Sequence, residues 1–310
     1  MNSLTKQSVD PWLVEILACP ICKSDLRFKE GVLNCTNDRC KLKFPVVDGI
    51  PVMLAQYNNH HEYQRRYFDR EFKGYTNYEL ENWRLSYLQR IFSALNIRDG
   101  SRGLYLDIGV GGSGYAVIEG ARRGCKSVGV DLSLEGIKKA RYFATTELGE
   151  KSNLCGFIVS LAENLPFKDS TFTKISSIAV LEHVPDDKQA IAEIARVTKS
   201  GGKVFITVPN AYRRILPIFW LPYYFWDKRI GHLRHYETEN LKAKFLRYGF
   251  STSEVLYSGH LCKVLQILFS WIFSNFKKKD SKLWWKLEEM DLKNNSPAGV
   301  QLTLIMRKVK

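Results

Sequence analysis

Long apolar runs are missing from this chain of 310 residues. The most apolar segment, residues 261–276, is too short to span a bilayer, and Lys277, Lys278 and Lys279 follow it. Met1 to Asp10 is polar, without the charged-then-apolar pattern of a secretory leader, so a cytoplasmic location is expected. Internal repeats and low-complexity tracts are also missing, which excludes solenoids and linker-like chains. Acidic residues are in short supply: 32 Asp and Glu stand against 46 Lys and Arg, for a net charge of +14. The deficit is local, because +10 of that charge falls in residues 211–310. Such a bias favours an anionic neighbour, whether RNA, an acidic membrane surface or a phosphorylated substrate, and a merely solvated face is the plain alternative. At 45% hydrophobic and 13% aromatic residues, the chain has ordinary material for a folded core.

The stretch Leu104-Tyr105-Leu106-Asp107-Ile108-Gly109-Val110-Gly111-Gly112-Ser113-Gly114 organises the rest. Five residues suited to a buried strand run into four glycines, and Tyr115 to Ile118 then begin a helix-compatible segment. Glycines let the backbone approach a ligand closely, and the following helix N-terminus offers unpaired N–H groups, so a nucleotide-like ligand fits there. A second short strand, Ser127 to Asp131, ends in an acid 24 positions after Asp107, placed to accept ribose hydroxyls. Gly109, Gly111 and Gly114 satisfy the dinucleotide spacing, but a carboxylate just before the first glycine suits a cationic amino-acid tail better than a pyrophosphate. Alternating strands and helices beyond it, with strands expected near 155–160, 174–180 and 203–208, predict an α/β, doubly wound Rossmann-like sheet of seven strands, the last of them at 300–306.

From Gly103 to Phe250 the sequence resembles the class I S-adenosylmethionine-dependent methyltransferases, in the group that includes quinone-biosynthesis and small-molecule enzymes. The residues that carry it are Leu106 to Gly111, Gly129-Val130-Asp131-Leu132-Ser133, Ala162-Glu163-Asn164-Leu165-Pro166-Phe167, Val180-Leu181-Glu182-His183-Val184-Pro185-Asp186 and Gly201 to Val204. The resemblance implies that Asp107 and the turn of Gly109, Gly111, Gly112 and Gly114 face the methionine part, Asp131 and Leu132 the ribose, and Ala162 and Glu163 the adenine. Two departures stand out. Leu161 occupies the place of an aspartate that accepts from the adenine amino group, and Phe172-Thr173 replaces the family's Phe-Asp. Losing one hydrogen bond costs on the order of 1 kcal/mol, so weakened cofactor binding is expected.

Residues 12–54 read as a separate module, and 55–310 as the methyltransferase domain. Cys19, Cys22, Cys35 and Cys40 form two closely spaced pairs around a hairpin-length segment, as four thiolates around one structural zinc require. Disulfides compete for the same spacing but are disfavoured in a cytosolic chain. Leu17 to Lys23 and the run Phe44 to Leu54 resemble the zinc-ribbon-like small activator subunit of tRNA, rRNA and protein methyltransferases. Between the two units, residues 57–98 carry aromatics at helical intervals, expected as helices preceding the sheet.

After the fifth strand of the sheet the alternation breaks at an insertion, 209–236, rich in aromatics and ending Gly231-His232-Leu233-Arg234-His235-Tyr236. Pro217 and Pro222 argue against one continuous helix there, and the position at the mouth of the crevice suits a substrate-side wall. That closing run, with a helix expected near 238–248, also resembles methyltransferases among glycan- and lipid-modifying enzymes. Residues 261–279 read as an apolar helix with a basic flank, either interfacial or packed on the sheet. Methyl transfer to a hydroxyl or phenol needs a proton acceptor, and His183 and His235 are the catalytic candidates, with His232 beside them. The expected acceptor is a small molecule, a lipid-linked compound or a glycan, with peripheral membrane contact through the basic C-terminal third. RNA methylation is the second reading, and a non-catalytic scaffold for a partner methyltransferase the third.

Overall fold

A computed structural model describes residues 8–78, 80, 82–215, 217, 220–260 and 282–309. The expected helix at 261–279 lies outside the described residues. Among them, no helix is long and apolar enough to cross a membrane.

The chain opens with α1 (Pro11–Ile16), whose proline sits in the first turn where its missing N–H costs nothing. An antiparallel sheet follows, β1 (Leu26–Lys29), β2 (Val32–Cys35), β3 (Lys43–Val47) and β4 (Ile50–Pro51), paired in sequence order. Two helices lead on, α2 (Asn59–Lys73) and α3 (Asn82–Ala94). The large sheet contains β5 (Leu104–Ile108), β6 (Lys126–Asp131), β7 (Cys155–Val159), β8 (Phe172–Ile178), β9 (Thr198–Pro209), β10 (Phe250–Ser258) and β11 (Gln301–Lys308). Its order is β10-β11-β9-β8-β5-β6-β7, parallel from β9 to β7, with β11 antiparallel to both of its neighbours. The order reverses between β5 and β8, and a ligand crevice opens at such a switch point.

The crossovers are α4 (Tyr115–Arg122), α5 (Leu134–Leu148), α6 (Asp187–Val197), α7 (Trp220–Ile230), α8 (Thr238–Leu246) and α9 (Lys282–Lys293). Strand β7 is buried throughout, and β9 is buried over Val204–Pro209, where only Thr207 is polar, because both faces are covered there. On one face Tyr105, Phe205 and Ile305 meet Leu88, Ile91 and Phe92 of α3. On the other, Leu106, Val204 and Ile206 meet Ile191 and Ile194 of α6 and Leu241 and Phe245 of α8. Local signals set the helix starts: Ser133 Oγ accepts from Gly136 N at 2.9 Å, and Asp186 Oδ1 accepts from Gln189 N at 3.0 Å. The insertion is partly helical. Helix α7 begins after Pro217 and carries Pro222 in its first turn, where a proline removes no intrahelical bond.

The small sheet docks on the large one by backbone pairing. Met53 N donates to Val159 O at 2.8 Å, Ala18 N to Pro166 O at 3.0 Å and Lys168 N to Ile16 O at 3.0 Å. Leu13 fills the space above Gly156, where an added Cβ would lie 2.8 Å from its Cδ1. The edge of β7, a row of unpaired backbone groups in an open sheet, is thereby covered. Lys23 locks the contact through Glu193 at 2.7 Å, and Glu193 also holds Arg196 at 2.7 Å.

Candidate active site

A cleft of about 230 Å³ lies at the switch point. Its floor is the turn after β5. Gly109 has φ +78°, and a Cβ there would stand 2.3 Å from Val180 Cγ2, so only glycine fits. Gly109→Ala is expected to destabilise the protein by about 2–4 kcal/mol, read as a lower Tm with cofactor binding lost; an unchanged Tm would contradict this packing. At Gly112 a Cβ would meet the Phe72 ring at 2.9 Å, so α2 closes down on the glycine turn. Asp131, at the end of β6, lines the cleft and accepts from Gly111 N and Ser133 N, each at 2.9 Å. Burial raises its carboxyl to about 6, against the lowering effect of those N–H groups. Leu132, Ala162 and Glu163 also line the cleft.

Asp107 is placed differently. It is not among the cleft-lining residues; it lies on β5 beneath the turn, accepts from Ser176 Oγ at 2.5 Å and is raised by burial to about 7. The two departures also separate. Thr173 Oγ1 donates to Leu104 O at 3.3 Å near the start of β8, at the end of the strand away from the cleft. Leu161 does line the cleft, and two residues on Glu163 supplies a carboxylate, held by His61 Nε2 at 3.0 Å in a buried pair.

The opposite wall follows β8. Glu182 and His183 sit in the turn after it, Glu182 buried and His183 half-buried. Glu182 Oε2 and His183 Nδ1 have no partner among the described residues. Burial, with the Asp227 charge adding to it, lifts Glu182 to about 8. Burial, together with His232 and His60, pushes His183 down to about 3, so its imidazole is neutral. The insertion completes this wall through Asp227 of α7. Asp227 Oδ1 meets His232 Nδ1 at 2.7 Å, Oδ2 meets His235 Nε2 at 2.5 Å, and Tyr212 OH donates to Oδ2. Burial alone would raise Asp227, but these three bonds hold it well below the usual carboxylate range. His235 has both ring nitrogens engaged, since Nδ1 faces Asn210 O at 2.7 Å, and it stacks on Tyr212 at 4.2 Å. His183 lines the cleft, whereas His235 lies behind it.

Helix α2, which the sequence marks only by aromatics at helical intervals, brings His61, Gln64, Phe68 and Phe72 to the cleft. Phe68 stacks on Phe72 with ring centroids 5.6 Å apart and meets His183 edge-on at 5.5 Å. Gln64 donates to Ile230 O and Gly231 O and leaves its buried Oε1 unpaired. Their spacing of three and four residues marks one helix face, but aromatics on such a face are more often core. The polar His61 and Gln64 on the same stripe were the usable signal.

In the N-terminal module, Cys19 and Cys40 sulfurs lie 3.7 Å apart, Cys22 and Cys35 sulfurs 3.3 Å apart, and all four lie within 4.8 Å of one another. A disulfide would hold its sulfurs at about 2.05 Å. Four thiolates at about 2.3 Å from a tetrahedral zinc lie about 3.8 Å apart, so the cluster fits a closed structural zinc site.

Residues 106–206 match the methyltransferase domain family, and residues 10–49 match the Trm112p-like protein family. The chain carries a methyltransferase domain and, ahead of it, a Trm112p-like module. Over 105 residues it is 35% identical to a ubiquinone biosynthesis O-methyltransferase of Idiomarina loihiensis, covering 34% of this chain and 42% of that enzyme. The match therefore spans less than half of that relative's length. A UPF0434 protein of Nitrosococcus oceani is 44% identical over 63 residues, 20% of this chain and 95% of its own. Among solved structures, a phosphoethanolamine N-methyltransferase 2 of Haemonchus contortus in complex with S-adenosyl-L-methionine superposes with a TM-score of 0.61 at 18% identity, covering 84% of this chain and 62% of the other. That likeness shows the methyltransferase fold. The strand order, with antiparallel β11 between β9 and β10, and the glycine turn after β5 put the cleft at the switch point of the sheet.

Proposed function

We propose that this protein methylates an oxygen or nitrogen of a small apolar or lipid-linked acceptor, with S-adenosylmethionine as donor. One observation carries the reading: His183, whose buried Nδ1 has no partner among the described residues, lines the same cleft as the glycine turn and Asp131. When bound, the cofactor supplies an electrophilic methyl group on a sulfonium. Asp131 would take the ribose, the N–H groups around Gly111 the methionine tail, and Ala162 with Glu163 the adenine end. Helix α2 excludes water by laying Phe68 and Phe72 over the cleft. His183 and Gln64 line the acceptor side of the cleft together and are placed to orient the acceptor there. His235 is a positioning residue that acts through Asp227.

The acceptor class is read from α7. Its inner side holds Asp227, whereas its outer side exposes Trp220, Leu221, Tyr224 and Phe225 at 44%, 66%, 48% and 63%, beside exposed Lys228 and Arg229. An apolar stripe with a cationic flank suits the surface where an anionic lipid or lipid-linked substrate is presented. The test is methyl transfer from labelled donor to lipid-linked phenols, short soluble analogues and RNA. The double change Leu221→Glu with Phe225→Glu is expected to raise KM for the lipid-linked acceptor about tenfold or more, while kcat and cofactor affinity hold. Equal kinetics on both acceptor types would remove the lipid assignment, and transfer to RNA alone would replace it.

The scaffold reading has an observation against it. Backbone groups beside β4 that another protein's sheet edge would need already pair with β7 of the same chain.

A further inference from the structure

We infer that Glu182, His183 and His232 form a binding site for a first-row divalent cation such as Zn²⁺, separate from the four-cysteine cluster. One carboxylate oxygen and one nitrogen from each ring lie within 4.8 Å of one another, and Glu182 Oε1 stands 3.8 Å from His232 Nε2. Two imidazoles and one carboxylate are a donor set for zinc or iron(II) that leaves coordination positions open.

Three features separate this group from an ordinary buried polar cluster. Glu182 is 1% exposed in its side chain, yet Oε2 has no partner, and His183 Nδ1 has none either. Buried polar atoms in folded proteins are almost always paired, so two orphans on neighbouring residues call for a ligand that accepts lone pairs. His232 is also oriented from behind. Asp227 Oδ1 takes its Nδ1 at 2.7 Å, which leaves the Nε2 lone pair facing Glu182, the carboxylate–histidine arrangement that fixes the tautomer of metal-binding imidazoles. Asp227 is itself held by His235 and Tyr212, so the orienting carboxylate is fixed. The neighbouring trio Asp227, His232 and His235 is no rival, because His235 spends both nitrogens on Asn210 O and Asp227.

His183 lies on the wall of the cleft, so an ion bound here could take an acceptor oxygen in an open position and lower the pKa of that hydroxyl. That use rests on the methyl-transfer reading; the site itself does not.

The experiment is a metal count on the full chain. Protein dialysed against Zn²⁺ and passed through a chelating resin is expected to hold two zinc ions per chain. Glu182→Gln and His232→Ala should each hold one, with Tm within about 5 °C of wild type and S-adenosylhomocysteine affinity within about twofold. Loading with Co²⁺ distinguishes the sites: the cysteine site gives intense sulfur-to-metal charge transfer, and the second only weak visible bands that the two variants lose. A single zinc in the wild type, or two retained in both variants, would overturn the assignment whether or not methyl transfer is seen. If a variant fails to fold, calorimetric titration of Zn²⁺ into wild type already loaded at its cysteines decides the same question.

Discussion

Asp131→Ala is expected to weaken binding of S-adenosylhomocysteine by about 100-fold, because two ribose hydroxyls lose a charged acceptor at about 1.5 kcal/mol or more each. Asp131→Asn keeps the shape and one acceptor, so about tenfold is expected there. The carboxylate also receives Gly111 N and Ser133 N, and Tm must be followed to separate loss of the turn from loss of the ligand. The pH dependence has a definite sign. Burial raises this carboxyl from near 4 to about 6 in the folded chain. Its contribution to ligand-free stability is therefore full below pH 4 and is lost as pH rises through 6. The hydroxyls prefer the ionised form, so affinity rises with pH up to about 6 and then levels. Calorimetry between pH 5 and 8 checks this, and an affinity that falls across that window would contradict the assignment of Asp131 to the ribose.

Cys22→Ser, or removal of metal by a strong chelator, is expected to unfold the Trm112p-like module. Structural zinc contributes about 10–16 kcal/mol in isolated zinc modules, and even a third of that, about 4 kcal/mol, lowers the Tm of a chain this size by roughly 8–16 °C. The damage extends beyond the module. Strand β7 loses the backbone partner that Met53 supplies, Gly156 loses the cover of Leu13, and an exposed strand edge invites association. Light scattering during the melt and limited proteolysis within residues 10–54 report both effects. Unchanged Tm, zinc content and cleavage pattern in Cys22→Ser would show that the cysteines hold no metal.

Much of the sheet was legible because its strands are buried on both faces and separated by capped helices. Ser133 and Asp186 act as caps, and the glycines after Ile108 mark a turn whose conformation other residues cannot adopt. Element limits shifted by a few residues, as at β8, expected near 174–180 and found at Phe172–Ile178. Three things were not legible. The docking of the module on β7 uses backbone hydrogen bonds, which leave no trace in residue type, and pairs such as Lys23 with Glu193 that lie 170 positions apart in the sequence. The cleft face of α2 was hidden because Phe68 and Phe72 have the spacing of any core stripe. The convergence of Asp227 with His232 and His235 depends on where α7 places Asp227, and a lone aspartate among aromatics carries no mark of it in the sequence. The ranking of the histidines likewise needed coordinates, since an unpaired Nδ1 on His183 and two engaged nitrogens on His235 are facts of geometry.

The assigned roles of Asp131, the glycine turn and helix α2 all require the cleft to be an S-adenosylmethionine site. Isothermal titration of S-adenosylmethionine and S-adenosylhomocysteine into the zinc-loaded, folded full chain tests it most directly. The expected result is one site per chain at micromolar affinity, lost in Asp131→Ala and kept in His183→Ala. A folded, zinc-loaded protein that takes up neither compound, or binds both equally well without Asp131, would contradict it.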